Sequence, residues 1–335
     1  MQFAFDTEQL HLQDTVREFL RKSCAPAVVR AAWFAPAPAS LWQGLADLGV
    51  VGMTVPEALG GAGLGALDWV RVLEEAGRAA LPLPLVETTV VAAPLLAALG
   101  DAEVAGEWLP RIAAGSAIVT TRFDRDPLVA FGDTAHLVLV QGGDGDELML
   151  VRPPLPMTRQ PSVDGARRLY AIDALPGAHR TFSGPSVAAA LAEALDRGAL
   201  AVSAELIGLA ARMLDLTVEY AKVREQFGKP IGSFQAIKHH LADALLKIEF
   251  ARPLVYRAAY STARNDPERS VHVSMAKLHA GAAATVTSKA ALQSHGAIGY
   301  SFEYDLHLYM KRAWALAASW GDASFHRARV GAAIL

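Results

Sequence analysis

Apolar positions along the first hundred residues fall on a helical period. Leu10, Leu12, Val16, Phe19 and Leu20 recur near 3.6 residues, with Asp6 or Thr7 placed to cap the segment. Ser40 to Leu48 repeats the pattern and leads into the turn-rich run Gly60-Gly-Ala-Gly-Leu-Gly65. Helices are predicted again over Leu67 to Arg78, Leu85 to Leu99 and Glu103 to Ala114, separated by Pro82, Pro84, Gly100 and Asp101. Near Ala117 the texture changes. Ile118 to Thr121, Leu137 to Val140 and Leu148 to Val151 are short β-branched or aliphatic runs that predict strands, and Gly142-Gly-Asp-Gly-Asp supplies the glycines of a hairpin turn. Five prolines between Pro153 and Pro176 keep the loop-and-strand character to about Pro185. From Val187 the helical period returns. Val202, Leu206, Leu209, Met213, Leu216 and Tyr220 form the stripe of a bundle helix, as do Phe234, Ile237, Leu241, Leu245 and Ile248 in a second helix that Pro253 is expected to kink. Val271 to Leu292 and Asp305 to Ala317 complete four long helices. The pattern therefore predicts a mostly α protein with a small β domain: a helical domain over 1–115, a β domain over 116–186 and a four-helix bundle over 187–335.

Composition narrows the picture. The chain has 335 residues, of which 52% are hydrophobic, so it can bury a large core, and its length suggests about two domains or more. Thirty-one Lys and Arg against 34 Asp and Glu leave a formal charge of −3, with no basic field to hold nucleic acid or anionic lipid. The single cysteine, Cys24, excludes an intrachain disulfide or a cysteine-built zinc site, and a reducing, cytoplasmic setting is expected. The first residues lack the basic and apolar regions of a signal peptide, and the most apolar stretch, Leu81 to Leu99, is broken by three prolines and Glu87. Neither secretion nor membrane insertion is predicted.

Most candidate motifs carry little chemistry. Gly61-Ala-Gly-Leu-Gly65 lacks the spacing and the preceding strand of a dinucleotide loop. His239 and His240 are adjacent, so a helix points them about 100° apart and no shared metal is expected. No nucleophile elbow exists, and Cys24 has no histidine near it in sequence. The informative stretch is Tyr220 to Asp243, where a helix ends near Glu225, Gly228, Pro230 and Gly232 make a turn, and Ser233 opens the next helix. Arg224, Gln226 and Phe227 stand at that corner, which suits an anion and a planar ring. The same chemistry is open to a structural reading, with Arg224 paired to a neighbouring acid and Phe227 in the core.

That stretch closely resembles the hallmark of acyl-CoA dehydrogenases, R-x-x-F-G-x-x-I-x-x-F-Q followed by L-A-D. Val55-Pro-Glu-x-x-Gly-Gly-x-Gly63, Glu74-Glu-Ala-Gly, Gln293-Ser-His-Gly-Ala-Ile-Gly-Tyr300, Tyr304 and Lys311-Arg312 extend the resemblance over nearly the whole chain. It implies a flavoprotein that binds FAD and oxidises an acyl-CoA thioester to the α,β-enoyl-CoA, a carboxylate removing the α-proton while hydride passes to the flavin. It also implies that Arg224, Gln226 and Phe227 reach the FAD of a neighbouring subunit, and that Gln293 and Gly296 lie beside its adenosine half.

Two departures from the family bear on activity. The family's glutamate base sits either in a segment near the C-terminus or early in the first helix of the bundle; the matching positions here are Trp320, in Ser319-Trp-Gly-Asp-Ala323, and the neighbourhood of Gly198. Asp322 stands where threonine is common, and Asp196 is the nearest acid to Gly198, a candidate base, although an exposed Asp before a helix is more often a cap. Glu205 matches a common family glutamate to which no catalytic role is assigned. The β domain is also short, without a recognisable segment to cover the flavin ring. Together these features resemble the base-lacking partner in heteromeric bacterial acyl-CoA dehydrogenases of sterol side-chain degradation, in which two different subunits form an α2β2 tetramer. The expected role is a subunit contributing cross-subunit FAD contacts, with a steroid-like or other large acyl-CoA thioester as substrate. The alternatives are a homo-oligomeric enzyme with a non-standard base and a flavin-free binding protein.

Overall fold

Asp6 caps the first helix by accepting from the Gln9 backbone amide at 2.8 Å, while the Gln9 side chain returns a bond to the Asp6 amide. The computed structural model describes residues 4–143, 145–175 and 180–335; Met1 to Phe3, Asp144 of the expected hairpin turn, and Pro176 lie outside the described residues. The N-terminal part holds α1 (Thr7–Ser23), α2 (Pro26–Ala31), α3 (Ala39–Asp47), α4 (Ala66–Arg78), α5 (Ala93–Ala98) and α6 (Ala102–Ala113). The expected single helix over Leu85 to Leu99 is divided. Val86–Ala92 winds as a wider π-helical segment before α5, and it is buried throughout.

The middle segment contains β1 (Val119–Arg122), β2 (Val129–Ala130), β3 (Leu137–Gly142), β4 (Glu147–Val151), β5 (Met157–Gln160), β6 (Leu169–Ile172) and β7 (Arg180–Ser183). One sheet runs β1-β3-β4-β7, with β1 and β3 parallel and the other pairs antiparallel; the second runs β2-β6-β5 and is antiparallel. Val138, Val140, Met149 and Val151 from the first sheet meet Val129 of the second in a small core of their own. The three apolar runs are β1, β3 and β4. The other four strands have two to four residues and no apolar alternation to announce them.

The C-terminal part begins with α7 (Pro185–Val223), 39 residues long, followed by a hairpin of β8 (Glu225–Gln226) and β9 (Lys229–Pro230), then α8 (Gln235–Ala263), α9 (Arg269–His295), α10 (Leu306–Ala318) and α11 (Ala323–Ile334). Ser233 belongs to a short 3-10 turn and Phe234 is the residue before α8, so the helix opens two residues later than the sequence suggests. A pair of glycines fixes how α4 crosses α7. A β-carbon on Gly77 would overlap the backbone of Glu205, and one on Gly208 would overlap the backbone of Glu74. Only residues without side chains let two helix backbones approach so closely. The expected apolar stripe of α8 packs only in part. Ala244, Ile248, Ala251 and Val255 are buried, whereas Leu245, Leu246 and Phe250 are exposed, the last at 73%. Periodicity identifies an apolar face, and among the described residues nothing covers Leu245, Leu246 and Phe250 on this one.

Candidate functional site

The two positions that the resemblance matched to a catalytic base, Trp320 and the neighbourhood of Gly198, meet in space. Gly198 lies on α7 and Trp320 in the turn between α10 and α11, and the indole packs so closely on the glycine that a β-carbon there would overlap the ring. Trp320 is completely buried, adopts φ +57°, and places its ring edge-on to Phe123 at 5.7 Å. A non-glycine residue in the left-handed region is held there by its surroundings. Lys277 donates to the carbonyls of Ala317 at 2.9 Å and Gly321 at 3.2 Å, on either side of the tryptophan. His326 donates from Nε2 to the Trp320 carbonyl at 3.0 Å, leaving Nδ1 to accept from Ser274 at 3.1 Å. Burial lowers the Lys277 ammonium to about 8 and the His326 imidazole to about 4. Asp322 caps α11 by accepting from the Phe325 amide at 2.8 Å.

Behind this contact lies a buried charged cluster. Arg167 donates to Ser319 at 2.6 Å, and Arg312 pairs with Asp164 and donates to the Leu81 carbonyl at 2.8 Å. Glu87, from the π-helical segment, and Glu205, from α7, complete the walls of a cavity of about 20 Å³, room for one water. Burial pushes the Glu205 carboxyl up to about 8 and raises Glu87 as well, although the two arginines pull both down. The sequence singled out Glu205 without a role; the structure gives it a place at the α4 crossing and in this cluster. Arg167 carried no sequence signal, because a single arginine in a loop has no period or motif around it.

Asp196 is a correction to the capping alternative. It lies well inside α7 and is buried rather than exposed before a helix. Its carboxylate accepts from Ser270 and pairs with Arg329 at 2.8 Å, which ties α7 to α9 and α11. Cys24 is buried, with its thiol pushed up to about 12, far from a nucleophile's range. His239 and His240 are exposed on α8, and among the described residues no group of three His, Cys, Asp or Glu could hold a metal ion. No helix among the described residues is long and apolar enough to cross a membrane.

The other sequence-derived residues gather at the outer edge of the bundle. Arg224 follows α7 directly and is exposed, with no side-chain partner among the described residues. Gln226 lies on β8, its amide donating to the Glu225 carbonyl at 2.8 Å. Phe227 has φ +54° and is 92% exposed, touching Phe234 edge-on at 6.1 Å, so its core alternative does not hold. Gln293 and Gly296, at the end of α9, are exposed too, and space is open where a Gly296 side chain would be. The two segments flank one ring cluster: Tyr220, a turn before Arg224, stacks on His295 at 4.3 Å. A free guanidinium, an exposed ring and an open glycine turn fit the phosphate and adenosine portions of a dinucleotide, provided that its ring lies outside this chain. The chain's own Trp320 and Phe123 fill the space between bundle and β domain.

Two helical units thus flank a small β unit, with one long helix in the C-terminal unit. The acyl-CoA dehydrogenase N-terminal domain family matches residues 6–116 and the C-terminal domain family matches residues 188–335. The chain belongs to the acyl-CoA dehydrogenase family. It is 37% identical to the acyl-CoA dehydrogenase IpdE2 of Mycobacterium tuberculosis over 311 residues, 91% of each chain. Among solved structures, a variant of the Tcur3481-Tcur3483 steroid ACAD superposes with a TM-score of 0.87 at 31% identity, covering 98% of this chain and 97% of that one. The ChsE4-ChsE5 complex of M. tuberculosis gives 0.86 at 26% identity, covering 99% and 98%.

Proposed function

We propose that this chain is the base-lacking subunit of a heteromeric, FAD-dependent acyl-CoA dehydrogenase, acting on a bulky acyl-CoA thioester. The observation that carries the reading is the Gly198–Trp320 contact. A tryptophan fills both positions that match the family's base, and the Asp126 carboxyl beside the Trp320 backbone is engaged by the charges of Arg167 and Lys277, while Arg224, Phe227, Gln293 and Gly296 remain turned outward. FAD, when bound, supplies the hydride acceptor for α,β-dehydrogenation. Arg224 would hold its pyrophosphate, Phe227 would cover an apolar edge, and Gln293 with Gly296 would flank the adenosine. The exposed Leu245, Leu246 and Phe250 on α8 give a partner subunit an apolar face to cover. The similar structures of the Tcur3481-Tcur3483 steroid ACAD and the ChsE4-ChsE5 complex, each of two different proteins, support the same arrangement.

Visible absorbance and assembly mass test this, for the chain alone and co-expressed with a second acyl-CoA dehydrogenase. The expected result is a colourless chain alone and a yellow mixed tetramer with the partner. A yellow homo-oligomer that is bleached by an acyl-CoA would overturn the reading and make Asp196 the residue to substitute. A mixed tetramer without flavin would leave only a binding role.

A further inference from the structure

The ring cluster between the two outward-facing segments has a geometry of its own. His295 is the last residue of α9, 5% exposed, and its Nδ1–H donates to the Ala291 carbonyl at 2.8 Å. A carbonyl can only accept, so the proton is on Nδ1 and the bare Nε2 accepts from the Tyr304 hydroxyl at 3.1 Å. The imidazole lies nearly flat on Tyr220, at 4.3 Å and 22°, and Tyr304 meets Tyr220 edge-on at 6.0 Å. Three segments therefore converge on one ring. The carbonyl of Tyr220 accepts from the Arg224 amide at 2.9 Å, the last helical bond of α7, so the stacked ring stands one turn before the corner. Gly296, next to His295, starts the turn that follows α9 with φ +64°. Tyr304 precedes α10.

We infer that His295, oriented by Tyr304, is a positioning residue that sets the Arg224–Phe227 corner and the Gln293–Gly296 turn at the spacing a shared cofactor requires. This rests on the assignment of both segments to FAD. His295 touches neither Arg224 nor a reacting atom; it acts through Tyr220 and Gly296. A rotation of the imidazole would displace the glycine turn relative to the corner while leaving both helices folded.

The test is the rate of FAD release from the flavin-bearing assembly, read as the rise of free-flavin fluorescence after dilution, alongside the melting temperature. Tyr304→Phe removes the hydroxyl alone. His295→Asn keeps a donor near Ala291 but loses the acceptor for Tyr304, whereas His295→Gln keeps an acceptor at the reach of Nε2. Loss of one buried hydrogen bond corresponds to about three- to tenfold faster release for Tyr304→Phe and His295→Asn, with His295→Gln nearer wild type. Ile248→Val, in the core of α8, controls for general destabilisation: it lowers the melting temperature without changing release. Arg224→Ala separates the two levels of the argument. If it accelerates release while Tyr304→Phe and His295→Asn release at the wild-type rate, the positioning role is overturned and the cofactor corner stands. If Arg224→Ala also releases at the wild-type rate, the cofactor assignment fails and the inference with it.

Discussion

The indole of Trp320 lies directly on the bare α-carbon of Gly198, so two positions far apart in the chain form one packed contact at the centre of the fold. Each residue permits the other. The glycine makes room for the ring, and the ring fills what would otherwise be a void beside Phe123.

A double-mutant cycle reads this relationship. Gly198→Ala alone is expected to destabilise the chain because its methyl collides with the ring, and Trp320→Ala alone to cost about 3–5 kcal/mol for the cavity it leaves. Together they should cost at least about 1 kcal/mol less than their sum, since the added methyl then occupies vacated space. Denaturant unfolding measures all four corners of the cycle; strict additivity would show that the contact is not tight.

The α4–α7 crossing allows no relaxation of that kind. Gly208→Ala places a methyl against the backbone of Glu74, and backbone cannot rotate away. A loss on the order of 3 kcal/mol is expected, whereas Gly281→Ala, at a helical glycine of α9 with open space around it, should gain up to about 1 kcal/mol. Thermal melting of the two variants distinguishes steric crossing from simple helix propensity.

Acid should weaken the turn that carries Trp320. The His326 imidazole is neutral in the fold until about pH 4, against an ordinary value of 6.5. The unfolded chain therefore binds the extra proton between those values, and stability contributed by neutral His326 is full above pH 6.5 and is lost as pH falls through 4. The loss is on the order of 3 kcal/mol. Melting temperatures from pH 7 to pH 4 for wild type and His326→Gln check it; the variant starts less stable and should lack this part of the acid slope.

Phe250→Asp addresses the uncovered half of α8. The side chain is 73% exposed in this chain, so the variant should fold with a melting temperature within about 2 °C of wild type when studied as a monomer. Its assembly mass with a partner should fall, because a carboxylate cannot be buried in an apolar contact without cost. An unchanged assembly would place the interface elsewhere.

The sequence by itself determined what is local. The 3.6-residue stripes located the long helices, the Asp6 cap and the hairpin between Leu137 and Val151 followed from residue type, and Arg224 to Phe227 stood out because a motif is contiguous. Its contiguous form also carried the family resemblance. Tertiary structure alone decided what those patterns face. Leu245 and Ile248 read as one stripe, yet only Ile248 is covered within the chain. Asp196 reads as a cap and is instead clamped by Ser270 and Arg329, side chains from helices that begin more than a loop away. Arg167, Arg312, Glu87 and Glu205 come from four separate segments, and no spacing rule links them. The physical reason is that periodicity records which side of an element must leave water, while the identity of its cover depends on how all the elements pack at once. Trp320 and Gly198 stand out in the sequence only as separate matches to the family's two base positions; the closing of α7 against the turn after α10 puts one on the other.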